Sequence, residues 1–331
     1  MKMATRLFIL IIFFISISIG STGQLRKIPV PTIDSEWWSI SGNPDLGEYN
    51  SEKQQPVDFA VWQAADGTWQ LWSCIRASNF PGSDNTTRFL YGWEGKSLFD
   101  RDWEPQGIKW VANPMFGETP GGIQAPFVFK EDGFYYLFYG DWRRICLAKG
   151  LDGKNFTRVF GGNGQPDLFS EFSYGTNDSK ARDPMVIKRN NTYYCYYTSS
   201  TLEPINDGVC FCRTSVNMKD WSESIIVSHT KPYPGNSARF SDECPQVVFL
   251  EEYGLYYLFV TQMYGEDSQT TIYASTNPMY FSTDVDDESK KVCTLPIAAP
   301  EIVKFKDEYY LFALKPNLDG IQATKLTFVV K

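Results

Sequence analysis

Five times along the chain, a short strand-like run that carries valine is followed by a turn and then by a run dominated by aromatic residues. The copies are Val57-Asp-Phe-Ala-Val-Trp62 with Thr68-Trp-Gln-Leu-Trp72, Gln124-Ala-Pro-Phe-Val-Phe129 with Phe134-Tyr-Tyr-Leu-Phe-Tyr139, and Arg182-Asp-Pro-Met-Val-Ile187 with Thr192-Tyr-Tyr-Cys-Tyr-Tyr197. Glu243-Cys-Pro-Gln-Val-Val248 with Leu255-Tyr-Tyr-Leu-Phe-Val260 and Ala299-Pro-Glu-Ile-Val303 with Glu308-Tyr-Tyr-Leu-Phe-Ala313 complete the series. β-Branched and aromatic residues fit a pleated, half-buried surface. Asp66-Gly67, Asp132-Gly133, Asn190-Asn191, Tyr253-Gly254 and Lys306-Asp307 lie between the paired runs. Such residues supply the dihedrals of tight hairpins. The tyrosine pairs begin at 135, 193, 256 and 309, a period of about 53 to 63 residues. That period suits a four-stranded propeller blade with loops. Residues 24–331 are therefore expected to form one all-β domain, a five-bladed β-propeller with four-stranded blades around a central channel. A β-sandwich would not require five copies in phase. Asp102-Trp103 and Asp220-Trp221 are expected in turns near outer strands. Trp37-Trp38 is expected in a strand that closes the ring and removes its open edge.

The first residues have a different pattern. Lys2 and Arg6 precede an apolar run from Leu7 to Ile19, followed by Gly20, Ser21 and Gly23. This is the charged, apolar, small-residue order of a secretory leader, and the apolar run is short for a membrane span. Residues 1–23 are read as a signal peptide, which implies a secreted or periplasmic protein free of the membrane after cleavage. The formal charge of −8 falls to about −10 once Lys2 and Arg6 leave with the leader. An acidic protein with no basic cluster in its sequence is a poor nucleic-acid partner; neutral substrates fit better. Aromatics make up 16% of residues, enough to supply sugar-stacking faces as well as strands. The seven cysteines include no Cys-x-x-Cys pair. Buried free thiols are expected, with Cys195 to Cys210 or Cys212 as the alternative pairing. His229 lies outside the repeat and reads as a loop residue.

The repeat also places chemistry. In a propeller the first strand of each blade lines the channel. The residue at or before the recurring proline therefore gives a ring of Asp58, Gln124 or Ala125, Asp183, Glu243 and Ala299. Three carboxyl groups from three blades are costly together, because like charges repel and burial disfavours ionisation. Such a cluster raises the pKa of at least one member, as a general acid requires. Two flanking carboxyl groups can hydrolyse a glycosidic bond, and a third can tune the acid. Metal binding and simple solvation are the competing uses of three acids, but a hard cation wants more oxygen ligands. No metal and no cofactor is expected.

These residues resemble the five-bladed propeller glycoside hydrolases of families 32, 43, 62, 68 and 117, from about residue 35 to the C terminus. Arg182-Asp183-Pro184 is similar to the Arg-Asp-Pro motif of family 32 and the Asp-Pro of family 43. Glu243-Cys244-Pro245 is similar to the Glu-Cys of family 32 and the Glu-x-Pro of family 43. Asp58 sits where both families carry an aspartate on the first blade. The resemblance implies that Asp58 is the general base of an inverting enzyme or the nucleophile of a retaining one, that Glu243 is the general acid, and that Asp183 holds hydroxyls and tunes the acid. Blade one reads Val-Asp-Phe-Ala rather than either family's motif, so Asp34 and Asp45 stand as alternatives to Asp58. The trailing β-sandwich of family 32 is missing, which favours a family 43-like arabinofuranosidase or xylosidase acting on plant or algal glycans. A family 32-like retaining fructosidase and a non-catalytic glycan-binding propeller are the alternatives. Arg182, Gln124, Trp62, Trp142 and Arg239 are candidate substrate contacts, with Phe240 nearby. Inserts at 78–88, 112–123, 161–180 and 230–242 are expected to wall the funnel.

Overall fold

The computed structural model describes residues 27–81, 87–171, 180–201 and 205–330. The proposed leader, residues 1–23, lies outside the described residues. The chain opens with β1 (Val30–Ile33) and β2 (Trp38–Gly42). Blade I follows with β3 (Gln55–Gln63), β4 (Trp69–Arg76), β5 (Phe89–Gly95) and β6 (Glu104–Trp110). Blade II holds β7 (Gln124–Glu131), β8 (Phe134–Gly140), β9 (Arg144–Gly150), β10 (Thr157–Arg158) and β11 (Asp167–Ser170). Blade III is β12 (Arg182–Arg189), β13 (Thr192–Ser200), β14 (Gly208–Ser215) and β15 (Ile225–Ser228). Blade IV is β16 (Glu243–Leu250), β17 (Leu255–Met263), β18 (Gln269–Ser275) and β19 (Lys291–Leu295). Blade V adds β20 (Glu301–Phe305), β21 (Glu308–Leu314) and β22 (Gly320–Val329).

Each blade is an antiparallel meander, and the expected five-bladed propeller is what the sheets form. Two blades depart from four simple strands. In blade II the outermost position is shared by β10 and β11, both paired to β9, and in blade V by β1 and β2, both paired to β22. The N-terminal strands thus join the last blade, so the ring closes without leaving β22 as an edge. Trp38 lies in β2, while Trp37 precedes it. First strands of successive blades touch all the way round, β3 on β7, β7 on β12, β12 on β16, β16 on β20 and β20 on β3.

The hairpin turns follow the sequence chemistry. Asp132 and Gly133, Asn190 and Asn191, and Lys306 and Asp307 each form a consecutive pair at positive φ. That is the backbone of a type I′ turn, whose twist matches the flanking strands. Asp102-Trp103 and Asp220-Trp221 lie just ahead of the outer strands β6 and β15, in turns as expected. All seven cysteines are free thiols. Cys195 faces Arg213 across β13 and β14, while Cys210 and Cys212 face Thr198 and Tyr196, so the alternative pairing has no opposed partners.

Strands β3 and β4 are buried on both faces, and their aromatics fill the seams between blades. Trp62 is the case that corrects a sequence reading. It sits at the far end of β3 from Asp58, buried, with its Nε1 donating to the Gly153 carbonyl at 2.7 Å. Its ring packs edge-on against Trp72 and Phe156 at 5.5 and 6.3 Å. Gly153 and Phe156 belong to blade II, so Trp62 fastens two blades rather than meeting a sugar. A strand that alternates residues places Asp58 and Trp62 on one face, but four residues of rise separate them by about 13 Å. Replacing Trp62 with Ala should cost about 3–5 kcal/mol of stability, measured by urea unfolding. A loss below about 1 kcal/mol would contradict this role.

Candidate active site

At the start of each blade's first strand the chain takes one residue in the left-handed region. These are Asp58 (φ 35°), Ala125 (44°), Asp183 (56°), Cys244 (48°) and Ala299 (48°). Four of them precede proline. The conformation is disfavoured for L-residues by roughly 1–2 kcal/mol each, and in the first four blades it breaks the strand register, at Val57/Phe59, Gln124/Phe127, Arg182/Met185 and Glu243/Gln246. Such bulges re-aim side chains. They also correct the ring read from sequence. Glu243 is not the counterpart of Asp58 and Asp183; Cys244 is. Glu243 pairs with Thr261 as Arg182 pairs with Thr198 and Gln124 with Gly140. The repeat thus yields two tiers. Asp58, Ala125, Asp183, Cys244 and Ala299 line a narrow central channel, and Gln124, Arg182 and Glu243 line the wider pocket at its mouth. Asp58 and Asp183 border both.

The pocket has a volume of about 460 Å³, within the roughly 300–1,000 Å³ span of small-molecule sites. Asp58, Asp183 and Glu243 all line it, with side chains only 12%, 5% and 13% exposed. The contacts among them are short. Arg182 donates through Nη2 to Glu243 Oε1 at 2.7 Å, and its Nε lies 3.8 Å from Asp183 Oδ2. The Cys244 amide donates to Asp183 Oδ2 at 3.1 Å, and the Cys244 thiol donates to Asp58 Oδ1 at 3.2 Å. Tyr264 Oη lies 3.1 Å from the same sulfur. Arg88 Nη1 stands 3.9 Å from Asp58 Oδ2.

Burial raises the Asp183 pKa to about 7, helped by the nearby charges of Asp58 and Glu243 and opposed by Arg182. Burial also raises the Cys244 thiol well above its ordinary value, with Asp58, Asp183 and Glu243 adding to the effect. It is a neutral hydrogen-bond donor, not a nucleophile. The site therefore combines one carboxyl that keeps its proton near neutrality with two others from different blades. That arrangement suits acid–base work on one bond. Among the described residues, no group of three or more His, Cys, Asp and Glu side chains is arranged to hold a metal ion.

The inserts shape the wall through buried carboxylates. Glu118, in the 112–123 insert, accepts hydrogen bonds from Tyr139 Oη at 2.5 Å and from Arg158 at 2.7 and 2.8 Å. The insert then returns at Gly121, whose carbonyl accepts from the Arg88 amide at 2.7 Å. At Gly122 a Cβ would fall 2.5 Å from the Trp142 ring, so only glycine lets the ring lie there. Asp141, fully buried, accepts from the amides of Arg143 and Arg144 and from Arg144 Nε, which shapes the turn that carries Trp142. Asp242 does the same for the 230–242 insert. It accepts from Ser228, from the Thr230 amide and from the Thr230 hydroxyl at 2.7–2.9 Å. Burial raises its pKa to about 6.

Of the substrate contacts expected from sequence, Arg182, Gln124, Trp142 and Arg239 line the pocket, as does Phe240. Trp62 does not, for the reason given above. Asp34 bonds to Thr327, and Asp45 caps a local turn through the Gly47 amide and Asn50, so neither alternative to Asp58 reaches the pocket. His229 stands 3.2 Å from Asp207, outside it. Residues not singled out from sequence are Arg76, Arg88, Lys180, Asn236, Met263 and Tyr264, although Arg88, Lys180 and Asn236 fall in the inserts expected to wall the funnel. A signal existed for some. The second strand of each blade ends at the same rim as Trp142, which predicts Arg76 and Tyr264 at the mouth. The pocket also corrects the inference that the chain has no basic cluster. Six cations line it against three carboxylates, although they are scattered along the sequence from Arg76 to Arg239.

No protein-family model matches the chain, and no curated protein matches it. Solved structures do. A thermostable family-43 glycoside hydrolase superposes with a TM-score of 0.56 at 15% identity, covering 87% of this chain and 92% of its own. A family-43 β-xylosidase/α-arabinofuranosidase from a compost microbial metagenome, solved in complex with xylotriose, superposes with a TM-score of 0.56 at 16% identity over 90% of this chain and 95% of its own. An α-L-arabinofuranosidase from Lactobacillus brevis gives 0.57 at 12% identity over 85% and 93%. At these identities the likeness establishes a shared propeller fold.

Proposed function

We propose that this protein is an exported glycoside hydrolase of the family 43 kind. Asp58 acts as general base or nucleophile, Glu243 as general acid, and Asp183 as the residue that holds sugar hydroxyls and tunes the acid. The observation that carries the reading is the convergence of Asp58, Asp183 and Glu243 from blades I, III and IV on one pocket, bridged by Arg182 and Cys244. Each of the three structural neighbours named above is a glycosidase, which supports the same class. Arg182 holds Glu243 Oε1 at 2.7 Å, so Glu243 reaches a leaving oxygen only when that contact opens as a sugar enters. Asp183, one guanidinium away and protonated up to about pH 7, tunes the acid by keeping a proton in the three-carboxyl ring at neutral pH that passes to Glu243, which gives it to the leaving oxygen. The thiol of Cys244 keeps Asp58 turned inward. The substrates are plant or algal oligosaccharides with pentofuranosyl or pentopyranosyl ends.

A second reading has its own support. Arg182-Asp183-Pro184 and Glu243-Cys244 match the family 32 motifs more fully than those of family 43, which favours a retaining fructosidase. A panel of aryl glycosides, arabino- and xylo-oligosaccharides and fructans separates the two, with the product anomer followed by NMR. Family 43-like chemistry predicts pentose release with inversion; fructose release with retention would move the protein to the second reading. Binding without release of any sugar would make it a glycan-binding propeller.

A further inference from the structure

The pocket carries more positive charge than its chemistry needs. Arg76, Arg88, Arg143, Lys180, Arg182 and Arg239 line it, from blades I to III and the segments that join blades II to IV, in a chain whose net charge is −8. Arg182 is committed to Glu243. Arg88 shares Asp58 at 3.9 Å, and the case for surplus charge rests on Arg76, Arg88 and Arg239. Arg76 donates through Nε and Nη2 to Gln55 Oε1 at 3.0 and 2.9 Å, a neutral acceptor. Arg239 is exposed, with its guanidinium 6.0 Å from the Phe240 ring centre. Among the described residues neither has a carboxylate within 4.0 Å. Arg88 is held by Gln124 Oε1 at 2.7 Å, closer than Asp58, and its guanidinium lies over the Trp142 ring at 4.4 Å. The amide nitrogen of Gln124 is buried, and among the described residues it has no acceptor.

A neutral sugar would leave Arg76, Arg88 and Arg239 in one pocket with no counter-charge beyond the 3.9 Å contact of Arg88 to Asp58. Like charges crowded on a low-dielectric wall repel, and a buried unpaired donor is costly. An anionic group on the substrate would resolve both. A guanidinium presents a planar fork that matches the oxygens of a carboxylate or a sulfate, and Gln124 Nε2 would gain the acceptor it lacks. We propose that the glycan taken by this pocket bears a negative charge, a uronate carboxylate or a sulfate ester, on the sugar bound at Arg76, Arg88 and Arg239. This rests on the glycosidase reading and narrows its substrate class. It also reverses the expectation of neutral substrates drawn from the overall acidity. The acidic exterior and the basic pocket are separate features, and a field focused in a cleft governs what enters it.

The test compares matched pairs on the full protein: uronate-bearing xylo-oligosaccharides against their methyl esters, sulfated algal oligosaccharides against their desulfated forms, and unsubstituted arabino- and xylo-oligosaccharides. Hydrolysis is measured as kcat/KM and binding by calorimetry. At least one acidic member should exceed its neutral partner about tenfold or more, as a charge-assisted hydrogen bond supports. The preference should shrink between 50 and 500 mM salt, as screening requires. Whether the uronate or the sulfate pair responds identifies the group. Arg76→Gln and Arg239→Gln should each lower the acidic-to-neutral ratio about tenfold. Equal or better use of the neutral partners in both pairs would overturn the inference while leaving the glycosidase reading intact. Should no glycan be cleaved, that reading fails, and calorimetry still decides the inference: tighter, salt-sensitive binding of an acidic member upholds it, and equal or absent binding of the acidic members overturns it.

Discussion

Glu243→Gln should lower kcat about 10²–10⁴-fold on oligosaccharides, the range that a positioned general acid contributes. The loss should be far smaller, within about tenfold, on aryl glycosides whose phenolate leaves without protonation, because only a leaving group of high pKa needs the acid. This contrast separates an acid from a residue that merely shapes the pocket, which would affect both substrate classes alike. A second consequence follows from the contacts. Glu243 raises the Asp183 pKa through its charge, while Arg182 lowers it. Removing the Glu243 charge frees Arg182 from its 2.7 Å partner, and both changes favour ionised Asp183. The Asp183 titration should therefore move below about pH 7 in the variant, visible in the carboxyl region by NMR. Equal losses on oligosaccharides and activated aryl glycosides would remove Glu243 from the acid role. Full turnover on oligosaccharides would remove the three-carboxyl mechanism altogether.

The propeller was legible because its signals are local and repeated. Turn residues between the paired runs and aromatic second strands mark the same point in every blade and the proline marks it in four, so weak hints reinforce one another. What the repeat could not show was the half-step between Cys244 and Glu243. A bulge at a left-handed residue shifts register by one, and a sequence alignment on proline cannot tell which neighbour points into the channel and which into the pocket. Trp62 was misplaced because β3 is buried on both faces; without alternation, nothing in the sequence says which end of the strand meets solvent. Arg76, Arg88 and Lys180 were missed for a different reason. Arg88 and Lys180 come from the ends of inserts outside the repeat, and long side chains gather at a rim from positions that no period links.

Asp183→Asn should abolish most activity and yet raise stability at neutral pH. The wild-type carboxyl has a folded pKa near 7, above the roughly 3.9 of an unfolded aspartate. Below about pH 4 both states hold the proton and the group is neutral in the balance. Between about pH 4 and 7 the native state keeps a proton that the unfolded state has released, so stability falls as pH rises. Above about pH 7 both are ionised, and the full cost of burying the charge is present. Asparagine keeps an oxygen to accept the Cys244 amide at the position now 3.1 Å away and never ionises. The variant should therefore match the wild type at pH 4 and exceed it by about 2 kcal/mol at pH 8, less than a three-unit shift would give because Arg182 loses its neighbour. Thermal unfolding across that pH range reads the difference as a gap that opens with rising pH. Asp242, raised to about 6 by burial, leaves some of the decline in both proteins, so the diagnostic quantity is the gap and not the slope. A constant gap at every pH would mean that Asp183 is already ionised in the folded protein at pH 4. The proton that the proposed mechanism draws on at neutral pH would then have to come from elsewhere.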